Sequence, residues 1–425
     1  MLDIKIIRKT PQIVKKNLKN RGENEKIKWI DDLLKKDKEV LSLKQKIENL
    51  RHERNVISSS INKLKKENKN ASKEIKKAKE LPSKIKQLED KFSKLNSDIS
   101  KYLNDIPNLL HSSVKIGKDE TQNKVTKKWG VIPKFNFPIK NHVELLEKLN
   151  VVDFDSSAKV SGNGFYYLKG ELALLNQALI RFVIDFMAKK NYSYIEPPLM
   201  INRKVAAAAG DLSAFEDALY KIESENLYLI PTSEHAILGL LYNKVINEKD
   251  LPLKFFGYSM CFRKEIGSHG INEKGLWRTH QFNKIEQFIF CKPQDSWKYY
   301  EELKKNSEQL YQKLKLPYRV LEMCSGDISA WKAKTEDIEV YRPTTKQYEE
   351  VGSLSNCTDY QARDLNMKGV DNKRNKYVLH TLNNTAIATS RTMVAIVENY
   401  QQKDGSIKVP LVLRKYTGFN KIASK

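Results

Sequence analysis

Between Gln281 and Phe290 the sequence alternates as a β-strand does, yet two of its positions hold ionisable groups. A period of two puts Phe282, Lys284, Glu286, Phe288 and Phe290 on one face, and Asn283, Ile285, Gln287 and Ile289 on the other. The run Cys261–Glu265 repeats the arrangement, with Arg263 and Glu265 on one side. Thr232 and Glu234 do so around Ser233, and Glu339 stands between Ile338 and Val340. Each of these alone fits an ordinary cross-strand ion pair. Together they describe a sheet face carrying Arg, Lys, Glu and Thr, with Phe282 as a flat platform. Such a face suits a zwitterionic ligand, a polyphosphate and a flat base. Arginine makes bidentate phosphate contacts, carboxylates hold an ammonium or Mg²⁺, and the ring stacks.

Other chemistries lack their residues. There is no GxxxxGK[ST] loop and no HExxH helix, and Gly162-Asn-Gly164 lacks the third glycine of a dinucleotide turn. His269 and His280 have no Ser or Cys partner at a recognisable elbow, so His280 reads as part of a site wall. Cys261, Cys291, Cys324 and Cys357 form no CxxC pair, which leaves zinc and a disulfide framework without a basis. They are expected as small core or pocket-edge residues. No run of about 18 apolar residues is present for a membrane span. An acid at position 3 and no small-residue cleavage site speak against a secretory signal, so a reduced, cytoplasmic chain is expected.

The elements that must position this face follow from the texture after Lys134. Strand-like runs are expected at Tyr192–Ile201, Asn226–Ile230, Lys254–Arg263, Gln281–Cys291, Tyr318–Met323, Asp337–Tyr341, Tyr348–Gly352 and Tyr377–Thr381. Helical periodicity covers Leu172–Lys190, Ser296–Leu314 and Thr392–Gln402. Strands without regular helical crossovers predict an α+β fold on an antiparallel sheet flanked by helices.

The first 110 residues obey different physics. The 425-residue chain has a net charge of +24, and at 100–200 residues per domain its length predicts two or three domains. Residues 1–110 carry 29 Lys+Arg against 16 Asp+Glu, a net +13, while the remaining 315 carry 47 against 36, a net +11. Ala78, Leu81, Ile85, Leu88, Phe92, Leu95, Ile99, Tyr102 and Ile106 recur in steps of three and four, the seam of a coiled coil. Ile30, Leu33, Leu34, Val40, Leu41, Ile47, Leu50, Ile57, Ile61 and Leu64 make a looser stripe, and the polar run Lys66–Ser72 separates the two. This predicts an antiparallel helical hairpin over about 28–104, projecting roughly 50 Å, with Pro82 kinking or restarting its second helix. A Lys-rich arm fits a polyanion, nucleic acid first; a solvated surface on a plain coiled coil fits the same residues.

On these motifs the sequence resembles the seryl-tRNA synthetases of the bacterial and eukaryotic type, class II aminoacyl-tRNA synthetases. The likeness runs from Met1–Arg8 through Leu50–Asn55, Asp105–Leu109 and Gly117–Glu120. Class II motif 1 matches Tyr194–Leu199, motif 2 matches Cys261–Glu265 through His280–Glu286, and motif 3 matches Asn383–Gln401 around Ser390-Arg391-Thr392. Thr232–Glu234, Cys324–Asp327 and Ser355–Arg363 are similar to the serine-type signatures.

The resemblance implies a tRNA-binding domain over 1–110 and a catalytic domain over 111–425. It implies Arg263 on the ATP α-phosphate, Glu265 on the adenine side and Phe282 beneath adenine, with Lys264, Thr279, His280 and Gln281 in the same ATP-binding segments. Arg278 then reaches the phosphates, Glu350 and Ser353 hold Mg²⁺, Val351 and Gly352 run along the nucleotide, and Arg391 takes the γ-phosphate. Thr232, Ser233, Glu234, Glu286 and Thr385 form the serine-binding set, without assignment of each to a group of the amino acid. The implied activity is serine–tRNA ligation, with Arg263 and Arg391 catalytic, Mg²⁺ as cofactor and no zinc. The implied partners are tRNA(Ser), tRNA(Sec), ATP, L-serine and a second copy in a homodimer, with no membrane. Besides Pro82 in the hairpin, three positions depart from the pattern: Ser390, Asn384 and Ala386 stand where the family usually has glycine, and a side chain at 390 either crowds the nucleotide phosphates or is absorbed by a small neighbouring shift.

Overall fold

The computed structural model describes residues 1–210, 216–265 and 274–424. The chain divides into two compact units, Met1–Pro107 and Asn108–Lys425.

In the first unit, short helices α1 (Ile4–Lys9) and α2 (Pro11–Asn20) precede two long ones, α3 (Ile27–Lys66) and α4 (Ser72–Asp105). Forty residues at 1.5 Å rise make α3 about 60 Å long. The reversal suits its asparagines: Asn68 takes a positive φ of 50°, and the Asn70 side-chain Oδ1 accepts from the Ser72 amide at 2.9 Å. Cross-links set the pairing as antiparallel. Tyr102 donates to Asp32 at 2.7 Å, Lys91 pairs with Glu39 at 2.6 Å, and Arg51 with Glu89 at 2.6 Å.

One expectation about this hairpin is corrected, and of the two alternatives at Pro82 the restart is excluded. Leu41 is 48% exposed, and the buried seam of α3 runs Leu33, Asp37, Val40, Leu43, Ile47. From Val40, steps of three and four lead to 43 and 47, so Leu41 lies about 100° round the helix. Asp37 occupies a seam position because Arg8 neutralises it through bonds of 2.6 and 2.7 Å. Pro82 does not restart α4, which runs unbroken from Ser72 to Asp105. Proline forfeits one backbone bond there, while buried Leu81 and Ile85 on either side hold the helix to its partner.

The second unit is built on eight strands: β1 (Lys124–Trp129), β2 (Ser193–Ile195), β3 (Leu253–Phe262), β4 (Gln281–Cys291), β5 (Tyr318–Glu322), β6 (Lys334–Arg342), β7 (Gln347–Thr358) and β8 (His380–Ala388). Their order is β1-β5-β6-β7-β8-β4-β3-β2. Every pairing is antiparallel except β2 with β3 at one edge. Helices α5 (Gly170–Ala188), α6 (Ser233–Gly239), α7 (Ser296–Leu314) and α8 (Thr389–Asn399) pack on it.

The two faces of β4 divide as alternation requires. Ile285 and Ile289 join the main core with Leu175, Leu179, Leu303 and Val394. Phe288 and Phe290 join a second cluster with Ile237 and Leu238 of α6, while Lys284 and Glu286 on that same face line a cavity. Gln287 lies on the core face and is satisfied there by Asn306 and Ser307 of α7, each at 3.0 Å.

Several boundaries differ from the expected ones. The run Tyr192–Ile201 is two short strands, Ser193–Ile195 and Met200–Asn202, because Pro197 and Pro198 cannot donate to a ladder. The strand expected at Tyr377–Thr381 splits into Lys376–Val378 and the start of β8. The nine residues of β8 escape a hydrophobic reading because Asn383, Asn384 and Thr385 occupy its buried centre. Edge strand β1 escapes it because its Lys-rich residues are nearly all exposed. The helix expected at Thr392–Gln402 begins at Thr389, three residues earlier, which places Ser390 and Arg391 in its first turn.

Candidate active site

The site is assembled where β4 meets β8 and the start of α6. Lys284 pairs with Glu286 at 2.6 Å, and the two side chains are 8% and 1% exposed. Across the ladder Thr385 stands directly opposite Glu286, next to a bulge between Thr385 and Ile387. Thr385 Oγ1 donates to Glu286 Oε2 at 3.3 Å, and Thr232 Oγ1 lies 3.5 Å from the same oxygen.

Thr232 gets there because α6 approaches β3 closely. The β3 residue opposite Glu286 is Gly257, and a Cβ on it would lie 2.8 Å from Ile237 Cδ1. Ser233 closes the contact by donating to the Gly257 carbonyl at 3.1 Å. Thr232 also caps α6, accepting from the Glu234 amide at 3.2 Å. Burial, and then the charge of Glu286, push the Glu234 carboxyl up to about 7. Burial, reinforced by Lys284, brings the neighbouring His235 down to about 3, so its imidazole is neutral.

A second corner adjoins this one. The Arg263 guanidinium lies over the Phe282 ring at 5.2 Å, and its Nε donates to the Pro231 carbonyl at 3.2 Å. Arg278 reaches Glu265 at 3.5 Å. Arg391, from the first turn of α8, donates to the carbonyl and the carboxylate of Glu350 at 2.9 and 3.0 Å. Burial works to raise the Glu350 carboxyl, but Arg391 beside it holds it below its ordinary value. On the paired strand Asp337 faces Ser353. Burial and the nearby Glu350 drive the Asp337 carboxyl well upward, and its Oδ1 is buried without a hydrogen-bond partner.

The two corners form adjoining cavities of about 580 and 50 Å³ with Arg263, Glu265, Lys284, Glu350 and Thr385 in both walls. The larger also takes Thr232, Glu234, Glu286 and Ser353; the smaller takes Arg278, Thr279, Phe282, Val351, Gly352 and Arg391. Gly352 keeps the shared wall thin, since a Cβ there would stand 3.1 Å from that of Thr385.

Four expected residues lie outside both linings. Ser233 is fully buried against β3, and the ammonium of Lys264 sits over the Tyr220 ring at 5.9 Å. Gln281 turns toward Met260. His280 stacks on Phe165 at 5.2 Å, and its Nδ1 lies 2.8 Å from the Arg263 carbonyl, so it braces the strand end that presents Arg263. His269 lies outside the described residues.

The walls also hold residues that the motifs did not assign: Lys284, His235, Trp277, Trp331, Lys332 and Asp337. Strand alternation already put Lys284 beside Glu286; nothing in the local sequence singles out the others. Of the three departures, Asn384 points away from the cavities, donating to Leu303 O and Ser307 Oγ of α7 at 2.7 Å each. Ala386 lies in the main core. Ser390 alone lines the smaller cavity.

Chemically, one corner offers a buried carboxylate with two hydroxyls, matched to a small zwitterion bearing a hydroxyl. The other offers arginines and a ring, matched to a nucleotide. For a divalent cation the available donors are the Glu350 carboxylate, the Ser353 hydroxyl and the orphaned Asp337 oxygen. A hard-oxygen set with few protein ligands fits Mg²⁺ shared with phosphates.

Two family profiles match separate stretches of the chain. The profile of the seryl-tRNA synthetase N-terminal domain matches residues 1–110. That of the tRNA synthetase class II core domain (G, H, P, S and T) matches residues 220–400. The chain is 48% identical over 418 residues to a serine–tRNA ligase from Methanocella arvoryzae, covering 98% of each. It is similar to the crystal structure of seryl-tRNA synthetase from Pyrococcus horikoshii complexed with ATP, with a TM-score of 0.93, 43% identity and full coverage of both chains. The cytoplasmic serine–tRNA ligase of Naegleria fowleri in complex with AMP aligns at a TM-score of 0.89 and 31% identity, over 100% of this chain and 99% of that one.

Proposed function

The chain belongs to the seryl-tRNA synthetase family, and from that premise we propose that it activates L-serine with ATP and transfers it to the 3′ end of tRNA(Ser). The observation that carries this reading is the shared wall of the two cavities. Glu286 and Thr232 line only the larger cavity and Arg391 and Phe282 only the smaller, while Arg263, Glu350 and Thr385 face both.

In the first step a serine carboxylate oxygen attacks the α-phosphorus in line. The new O–P bond forms as the bond to the β-phosphate oxygen breaks, giving seryl-adenylate and pyrophosphate. No protein nucleophile takes part; positioning and charge neutralisation carry the rate. Arg263 holds the α-phosphate and steadies the charge that grows on it, with its guanidinium aimed by Phe282 and the Pro231 carbonyl. Arg391 and Arg278 hold the outer phosphates. Glu350 and Ser353 would hold Mg²⁺, which when bound offsets phosphate charge. In the second step a hydroxyl of the terminal ribose attacks the seryl carbonyl and AMP leaves.

Glu286 and Thr385 suit the serine hydroxyl, and Thr232 and Glu234 suit its ammonium. A pocket built on a buried carboxylate rejects alanine, because the loss of the substrate hydroxyl leaves Glu286 short of a donor. The reading includes tRNA(Sec) as a second acceptor, a homodimer carried by the motif 1 resemblance of Tyr194–Leu199, and a cytoplasmic location. The deciding measurement is serine-dependent ATP–pyrophosphate exchange followed by charging of tRNA(Ser). Absence of exchange with serine and with every other amino acid would overturn the reading.

A further inference from the structure

Behind Arg391 lies a closed set of contacts that no motif assigns. The Trp277 ring carries two guanidinia, that of Arg342 at 4.5 Å and that of Arg391 at 5.5 Å from its centroid. Arg342 is held on its other side by Glu398, through bonds of 2.7 and 3.1 Å, and by Glu349 at 2.9 Å. Glu398 is fully buried and lies seven residues, two turns, after Arg391 on the same face of α8. It also accepts from Thr344 Oγ1 at 2.7 Å and pairs with His142 Nδ1 at 3.3 Å. His142 Nε2 in turn accepts from the Leu276 amide at 3.1 Å, which fixes the backbone beside Trp277. The circuit therefore returns to α8, and the indole is immobilised from both ends.

We infer that Trp277, backed by Arg342, is a positioning residue that aims the Arg391 guanidinium at the nucleotide's terminal phosphate. Two grips hold Arg391: the carbonyl and carboxylate of Glu350, and the ring and carbonyl of Trp277, the latter at 3.4 Å. The Glu350 carboxylate is also the proposed cation ligand, so its hold on Arg391 competes with substrate binding. The indole has no such second duty. The ring contact itself uses no N–H of the guanidinium, whereas a carboxylate partner does, and Nη2 has neither the Trp277 carbonyl nor Glu350 as its acceptor.

The inference rests on Arg391 as the γ-phosphate ligand, and its test separates the two ideas. ATP and AMP binding are measured by calorimetry on the full-length protein and on Trp277→Leu, Trp277→Phe, Arg342→Lys and Arg391→Ala. A misaimed Arg391 weakens ATP and spares AMP, whereas general damage to the cavity weakens both. Loss of one partly exposed cation–π contact corresponds to a rise of about 5- to 10-fold in the Kd for ATP in Trp277→Leu, with a smaller rise in Trp277→Phe, which keeps a ring. Arg342→Lys, which keeps the charge but not the paired bonds to Glu398, should shift the ATP-to-AMP ratio the same way. If Arg391→Ala weakens ATP alone while the Trp277 and Arg342 variants leave the ratio unchanged, the positioning role is overturned and the phosphate reading stands. If Arg391→Ala itself leaves the ratio unchanged, the phosphate reading fails and the positioning role falls with it.

Discussion

Lys284 and Glu286 project from one strand two residues apart and pair at 2.6 Å, with Thr385 Oγ1 within 3.5 Å of both. A buried pair of this kind contributes little net stability as a whole, yet losing one partner strands the other charge. Glu286→Gln should therefore lower stability by about 3 kcal/mol and abolish serine-dependent exchange. Chemical denaturation beside the exchange assay checks both. A variant of normal stability that still uses serine would remove Glu286 from the substrate site.

The elevated Glu234 carboxyl has a consequence for pH dependence. Below about 7 it is protonated in the folded protein and cannot hold an ammonium by charge. In exchange assays kcat/KM for serine should climb with pH, by about tenfold per unit, and level off near 7. Stability moves the opposite way. An acid raised in the folded state favours folding at low pH, and that contribution declines between 4.5 and about 7. Glu234→Gln should flatten the serine profile; an unchanged climb would assign it to another group.

Removal of divalent cations should abolish exchange, and Glu350→Ala should raise the Mg²⁺ concentration needed for half-maximal rate by at least about tenfold. Electron paramagnetic titration of Mn²⁺ into the ATP complex gives the same comparison without turnover. Equal Mn²⁺ affinity in both proteins would exclude Glu350 as a ligand.

The Lys-rich hairpin should matter for tRNA and not for activation. Replacing Lys35–Leu103 by a short linker is expected to abolish tRNA charging while largely sparing pyrophosphate exchange. In the intact protein, log affinity for tRNA should fall linearly with log salt, by about 0.7 to 0.9 per phosphate neutralised, while exchange barely changes. Normal charging by the truncated protein would make the hairpin merely structural.

Much of this was legible locally. The three-and-four spacing of Leu81, Ile85, Ile99 and their neighbours sufficed for a helical hairpin, because a coiled coil is specified by periodicity along each helix. The sequence stripe takes Leu41 and omits Leu43, because spacing along one helix does not choose between leucines two residues apart, and only the partner helix selects between them. Alternation in Gln281–Cys291 likewise put Lys284 and Glu286 on one face without knowledge of the neighbouring strands.

What the tertiary structure decided is which distant residues share that face. Only His380 and Thr381 of β8 are legible as strand, because buried Asn383, Asn384 and Thr385 are stable only where α7 and β4 supply their hydrogen bonds. Trp277, Arg342 and Glu398 each read as unremarkable, and the contacts of Arg342 with the other two span 65 and 56 positions of sequence. By itself the sequence determined the periodicities, the charge distribution and the motif chemistry, since these depend on neighbours along the chain. The aim of Arg391, the pairing of Asp337 with Ser353 and the shared wall of the two cavities depend on strand order and helix docking. Those are properties of long-range packing, which local spacing does not encode.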